Sequence, residues 1–136
     1  MPLHLLKLAV GIDDIDHLRR IRSERAAERG ASWVYTRNHP RRAAEVLEGG
    51  SIYWVIRGHI RVRQRVTGFR SERDANGRRH CLIEVDERLV PTLSRPWRPF
   101  QGWRYLAPED APADRSQTGE LPSDRLLAEL RSLGLI

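Results

Sequence analysis

Residues 51–67 constrain the fold more than any other stretch of this sequence. An apolar and aromatic run comes first, Gly58 interrupts it, and apolar and polar side chains then alternate strictly. Alternation with a period of two indicates a β-strand with one buried face. An Asn-Gly pair further on favours a hairpin turn into another strand over 79–85. We therefore predict an antiparallel meander over residues 51–85.

The alternation divides the side chains of the second strand between two faces. One face carries Ile60, Val62, Gln64 and Val66. The other face carries His59, Arg61, Arg63, Arg65 and Thr67. Side chains on one face of a strand repeat every ~7 Å, so three successive arginines can follow a chain of phosphates. The alternative is that these arginines cover a solvent face and pair with Glu84 or Asp86 across the strands.

The positive charge of the chain is concentrated in the same segment. Residues 51–82 hold eight Arg against Glu72 and Asp74, a net charge of +6 that equals the net charge of the whole chain. Residues 107–136 are acidic, with three Arg against six Asp and Glu. Only Lys7 among the 24 basic residues is a lysine. Because this preference for Arg extends over the whole chain, it is not itself evidence for phosphate binding. The clustering is such evidence, because a basic patch is the electrostatic footprint of a nucleic-acid site.

Two strand–helix units precede the meander. The first is predicted as a strand over 3–10 and a helix that stops at Gly30. The second is predicted as a strand over 32–36 and a helix that begins at Asn38-His39-Pro40 and ends before Gly49. Leu6, Leu8 and Val10 are predicted to share one face of the first strand, and Ile15, Leu18 and Ile21 recur at helical spacing in the first helix. The inner side of the second helix is expected to carry Ala43, Ala44 and Leu47.

This order of elements predicts an α+β fold with a small mixed or antiparallel sheet, or a partly closed barrel, flanked by two or three helices. Residues 1–106 form one domain, residues 107–122 a Pro/Ala/Asp-rich linker or strap, and residues 123–136 an amphipathic helix. No apolar run is long enough to span a bilayer and the N-terminus has no signal-peptide pattern, so we expect a cytoplasmic protein without a membrane partner.

An arginine-aromatic segment over 95–106 is the second candidate binding feature. Its prolines favour an extended loop, and residues 102–106 are expected to rejoin the sheet. Trp97, Phe100 and Trp103 can stack on unpaired bases, while Gln101 can bind a base edge. The alternative is that these aromatics anchor the loop in the core.

The sequence contains no pattern that points to catalysis, a metal or another cofactor. The five histidines have no metal-ligand spacing, and the acidic residues at 13, 14 and 16 stand where a helix start favours negative charge. Cys81 is the only cysteine, and its neighbour His80 points to the opposite face of a strand. We therefore predict neither catalytic nor metal-binding residues.

Three blocks of the sequence resemble an uncharacterised bacterial domain-of-unknown-function family, family 1489. The blocks are MPLHLLKL, YWVIRGHIRVRQRV and RPFQGWRYLAPEDAP. That resemblance covers most of residues 1–112 and implies one small domain without assigned functional residues. The 51–66 block also resembles, more faintly, strands of the PUA-like barrels that include ASCH and EVE domains. This second resemblance implies binding of RNA or a modified base.

These observations together predict a non-enzymatic module that binds RNA, single-stranded DNA or a modified base. The predicted binding residues are Arg57, Arg61, Arg63, Arg65, Trp97, Arg98, Phe100, Gln101, Trp103 and Arg104. One alternative is a small enzyme acting on a nucleotide or modified base, with His59, His80 or an acidic residue as the acid–base group. Another is an adaptor that uses the acidic tail and terminal helix. The oligomeric state stays open.

Overall fold

A computed structural model describes residues 2–29 and 32–115, which contain seven strands and two α-helices. In chain order these are β1 (His4–Leu8), α1 (Ile15–Arg29), β2 (Trp33–Thr36), α2 (Ala43–Val46), β3 (Ser51–Ile56), β4 (His59–Arg73), β5 (Arg79–Val85), β6 (Val90–Pro96) and β7 (Trp103–Leu106). The predicted helix over 123–136 and residues 116–122 of the predicted linker lie outside the described residues. Neither described helix has the length and apolar character needed to cross a membrane.

The strands form one mixed sheet in the order β2-β5-β4-β3-β1-β7, with β6 pairing with β4. The β1–β3 pair is parallel, and the other pairs are antiparallel. The predicted antiparallel meander is confirmed, because β4 pairs with β3 along its first half and with β5 along its second half. The α+β class with a mixed sheet and flanking helices is confirmed as well.

The sheet curls so that its two end strands approach each other without pairing. The indole Nε1 of Trp103, in β7, donates a hydrogen bond of 2.9 Å to the carbonyl of Asn38, just after β2. The backbone N–H of Arg42 donates to the Tyr105 hydroxyl at 3.1 Å. The sheet is open, because β2 and β7 do not pair with each other. These two hydrogen bonds connect its two ends.

The inner face of the curled sheet holds the larger core cluster. Apolar side chains from β1 to β5 meet there, and α1 and α2 add Leu18 and Val46. A second cluster covers the outer face of β1, β3 and β4. It contains Leu6, Tyr53, Val55, Ile60 and Leu106, with Trp97 and Phe100 packed on it.

A bulge in β4 breaks the predicted alternation. Trp54 pairs with Val62 while Val55 pairs with Ile60, so Arg61 is an extra residue in the strand. Because the side-chain period of a strand is two, one extra residue moves the side chains beyond it to the opposite face. Ile60 consequently joins the outer cluster rather than the inner one, and the prediction for that residue is wrong.

Three local predictions before the meander also need correction. Val10 follows β1 and is 86% exposed, so it does not face the core. Helix α2 is only four residues long and buries Val46, whereas Ala44 and Leu47 are exposed. The observed helix is shorter than predicted, because the chain turns at Gly49, which has a φ of 109°, before it enters β3 at Ser51.

Strand β6 was not predicted, because it contains Pro91 and Pro96. It lies beside β4 and makes one isolated bridge, between Thr92 and Asp114, with the segment that follows β7. A strand with few partners on its outer side tolerates proline, which has no N–H to donate.

Candidate functional site

The two ends of the sheet enclose a cleft of about 560 Å³. Strand β1 contributes Lys7, residues 35–38 line the side of β2, and residues 101–104 line the side of β7. The volume lies within the range of pockets that hold small ligands, roughly 300 to 1,000 Å³. The cleft exists because the sheet curls but does not close.

Three cations face this cleft. They are Lys7, Arg37 and Arg104, and none of the described lining residues is a carboxylate. Arg104 donates from Nη1 to the carbonyls of Gln101 and Trp103, at 2.8 and 3.0 Å, and its guanidinium lies 5.7 Å from the centre of the Phe100 ring, so its charge is at the outer rim of the cleft. Positive groups gathered without a counter-charge create a potential that attracts anions.

Trp103 forms a fixed aromatic wall of the cleft. Besides its hydrogen bond to Asn38, its ring meets Tyr105 edge to face, with centroids 4.8 Å apart. Both contacts restrain the rotamer of the indole. A flat side chain held beside cations is suited to stacking on a base.

Lys7 lies deeper than the two arginines. It pairs in register with Trp103 of β7 and with Trp54 of β3, and it also lines a neighbouring cavity of about 250 Å³ beneath α1. Its side chain is half-buried, whereas Arg37 and Arg104 are exposed. Burial lowers the pKa of Lys7 below its usual value, because water no longer fully solvates the ammonium.

Arg61, Arg63 and Arg65, the predicted arginine row of β4, differ in how far their charges are already paired. Arg63 donates two hydrogen bonds of 2.7 Å each to Asp114 and one of 2.9 Å to Ser51 Oγ. Arg61, at the bulge, donates from Nε to the carbonyl of Ile56 at 3.4 Å. Arg65 is exposed and has no side-chain partner among the described residues. The predicted cross-strand pairing with Glu84 or Asp86 is not what holds Arg63.

Arg57 stands apart from this row, in the turn between β3 and β4. Its φ of 48° is left-handed, next to Gly58 with a φ of 79°. The guanidinium forms an ion pair of 2.9 Å with Asp13. Both side chains are largely exposed, and such pairs contribute roughly 0 to 1 kcal/mol. Arg57 can therefore exchange this partner easily.

The arginine-aromatic segment is divided between the two faces of the sheet. Trp97 and Phe100 pack on the outer cluster, while Trp103 packs against the inner one. Arg95 lies 5.7 Å from the centre of the Trp97 ring, and Arg98 is exposed without a described partner. The segment thus brings only residues 101–104 to the cleft.

A second cleft, of about 380 Å³, lies where the chain after β7 passes over the outer face. His4, Tyr53, Arg63 and Asp114 line it. The backbone N–H of Ser51 donates to His4 Nδ1 at 3.0 Å, so the proton of the neutral ring is on Nε2. Burial and the nearby Arg63 charge lower the pKa of His4 to about 4. Arg63 and Asp114 satisfy each other, and their pair joins the segment after β7 to the sheet.

Cys81 has a histidine neighbour that the sequence did not reveal. His39, rather than His80, lies beside it, with Nδ1 3.6 Å from the sulfur. The thiol is fully buried, and burial raises the pKa of Cys81 above its usual value. A buried thiol with a raised pKa is a poor nucleophile.

The other histidines considered as acid–base groups lie elsewhere. His80 bonds Asp74 at 2.8 Å near the β4–β5 turn, and His59 Nδ1 lies 3.3 Å from the carbonyl of Arg57. Neither lines the cleft that contains Trp103. Within residues 2–29 and 32–115, no three His, Cys, Asp or Glu side chains are grouped as metal ligands.

Lys7 and Arg37 are the two cations of the cleft that are missing from the predicted binding set. The single lysine of the sequence, between two leucines of β1, was a detectable signal. Nothing in the sequence indicated Arg37, because it lines the cleft only where the end of β2 approaches β7 in the folded protein. Of the predicted residues, Gln101, Trp103 and Arg104 are brought together there.

Comparison with known proteins gives one match. The family described as "Protein of unknown function (DUF1489)" matches residues 5–136. Neither the curated proteins nor the solved structures contain a match. The fainter likeness to PUA-like barrels therefore stays a prediction.

Proposed function

Because the chain belongs to this family, which has no known activity to transfer, we propose from the cleft itself that the protein binds RNA or single-stranded DNA in the cytoplasm. The observation that carries the proposal is the convergence of Lys7, Arg37 and Arg104 beside Trp103 without a described carboxylate. Cations for phosphates and a flat ring for a base are the two elements of single-strand recognition.

The proposed division of roles follows from the chemistry of each group. Arg37 and Arg104 contact phosphates, for which the guanidinium offers two parallel donors. Trp103 stacks on a base, a contact worth roughly 1 to 3 kcal/mol. Gln101 offers an amide to a base edge. Most of the affinity then comes from the backbone, and the sequence preference is weak.

The other predicted residues take lesser parts in this proposal. Arg65 and Arg98 are exposed and have no described partner, so they can contact flanking phosphates. Arg63 would have to leave Asp114 before it could bind one. Arg61 has a long bond to Ile56 and is more readily released. Trp97 and Phe100 support the fold from the outer cluster.

The proposal is tested by the salt dependence of oligonucleotide binding. Fluorescence anisotropy with labelled oligo(U) and oligo(dT) gives the slope of log affinity against log salt for the wild type, Arg37→Ala and Arg104→Ala. Each variant should weaken binding and lower the magnitude of the slope by about 0.7, the value for one phosphate contact on a single strand.

Arg20→Ala is the matched control, because Arg20 is an exposed arginine on α1 that does not line the cleft. It should leave the slope unchanged. Arg65→Ala in the same series measures the contribution of the predicted arginine row. Absence of wild-type binding at about 0.1 M salt, or equal slopes for the cleft variants and Arg20→Ala, would overturn the proposal.

A further inference from the structure

Lys7 is the innermost cation of the cleft. Its backbone pairs with Trp103 on one side and Trp54 on the other, and both indoles belong to the inner core. The ammonium has no hydrogen bond or ion pair to any described residue. A half-buried charge without a partner is unfavourable, so this position gains from an anion that enters the cleft.

Cationic residues on three elements line the two spaces beside Lys7. Arg104 lies on β7, Arg37 follows β2, and Arg22 and Arg25 of α1 line the neighbouring cavity. Arg22 is itself engaged with Ser32 Oγ and the Trp33 carbonyl. Carboxylates are missing from the described lining of both spaces. An anionic ligand would supply the counter-charge that these described residues lack.

The depth of Lys7 distinguishes a terminal phosphate from the internal phosphates of a strand. A strand that runs past the cleft can reach the exposed Arg37 and Arg104, but Lys7 lies behind them on the inner face of the sheet. The neighbouring cavity beyond Lys7 is lined mainly by apolar groups, including Leu18, Ile21 and Val34. The phosphates of a strand that passes along the cleft stay at the two exposed arginines, whereas a terminal phosphate can turn inward and reach Lys7.

We propose that this cleft binds the phosphorylated end of a single strand, with the terminal phosphomonoester between Lys7, Arg37 and Arg104 and the last base against Trp103. This inference rests on the proposed function. A terminal phosphate carries a charge of about −1.5 to −2 at pH 7 and three accepting oxygens, whereas an internal phosphodiester carries about −1. Three cationic donors match the terminal group better.

The first test needs no variant. Three oligonucleotides of one sequence, with a 5′-phosphate, a 3′-phosphate or hydroxyls at both ends, compete for the wild-type protein in anisotropy measurements. One phosphorylated end should bind about tenfold more tightly than the hydroxyl form, and the result shows which end. Lys7→Met, which keeps an unbranched apolar stem, should remove that preference, while Arg65→Ala should keep it.

The second test observes Lys7 directly. Since it is the only lysine of this sequence, ¹³C-labelled lysine gives one side-chain Cε signal whose titration reports the pKa of Lys7. Addition of a nucleoside monophosphate should raise that pKa, because a bound anion favours the charged amine. Equal binding of all three oligonucleotides, or an unchanged titration, would overturn the strand-end proposal alone. Failure of every oligonucleotide to bind would overturn the proposed function as well.

Discussion

Arg63 and Asp114, fifty-one residues apart in the chain, form two hydrogen bonds of 2.7 Å each. Asp114 is almost completely buried, and its backbone pairs with Thr92 of β6. The pair therefore joins the segment after β7 to the middle of the sheet. The sequence predicts that Arg63 binds phosphate, but in the fold its charge is already paired with Asp114.

We expect Asp114→Asn to destabilise the protein by about 1 to 3 kcal/mol, because a charge-assisted pair is replaced and Arg63 keeps a half-buried charge. Urea unfolding measures this difference. The matched control is Asp110→Asn, since Asp110 faces Arg95 at 3.6 Å with both side chains nearly half exposed. Equal stability of the two variants would show that the Arg63–Asp114 pair contributes nothing.

Stability should fall as the pH drops from about 6.5 to about 4, because of His4. Its pKa is about 4 in the folded state, whereas the unfolded chain has the ordinary value of 6.5. The unfolded state therefore binds more protons in this window, and the loss of stability levels off below pH 4. The contribution of His4 is on the order of 2 to 3 kcal/mol.

His4→Asn separates this effect from the carboxylates that titrate in the same range. The amide oxygen can accept the Ser51 N–H in place of Nδ1 but does not titrate. Urea unfolding at pH 7, 5.5 and 4 (all approximate) should show a flatter pH dependence for the variant. The same slope in both proteins would rule out His4 as the cause.

Gly50→Ala should be strongly destabilising, by roughly 1 to 3 kcal/mol or more. A β-carbon at this position would collide with the backbone carbonyls of Leu3 and Val46. Gly50 also donates to Val46 at 2.7 Å and accepts from the Val66 N–H at 3.0 Å, so the backbone cannot move away freely. Here β1, α2 and β4 approach closely.

Gly11→Ala is the control for Gly50. Gly11 has a φ of 76° but open space around its α-carbon, so only the left-handed strain of about 1 to 2 kcal/mol applies. Thermal or urea unfolding of both variants separates a steric collision from backbone strain. A smaller loss for Gly50→Ala than for Gly11→Ala would contradict the close approach.

Cys81 should react with a thiol reagent only as fast as the fold opens. It is fully buried, and its raised pKa keeps it protonated near neutral pH. Removal of the adjacent ring in His39→Ala should speed the reaction, because His39 covers the sulfur from the exposed side. A wild-type rate equal to that of the denatured protein would contradict this burial.

The strands of the meander and the site of the excess charge were predictable because both are local properties. The pleat of a strand repeats every two residues, so alternation marks β4 and β5 in the sequence itself. The prolines at 91 and 96 concealed β6, because the low strand propensity of proline does not show whether a strand lies at an edge of the sheet, where proline is tolerated. The bulge at Arg61 was equally invisible, since it depends on the register with β3.

The sequence by itself determined where the strands of the meander form, how the charge is distributed along the chain and to which family the chain belongs. The tertiary structure decided which charges are free. It paired Arg63 with Asp114 and gathered Lys7, Arg37 and Arg104 around one cleft. The physical reason is that alternation follows from neighbouring residues, whereas the partner of a charge depends on which distant segments the curling of the sheet brings together.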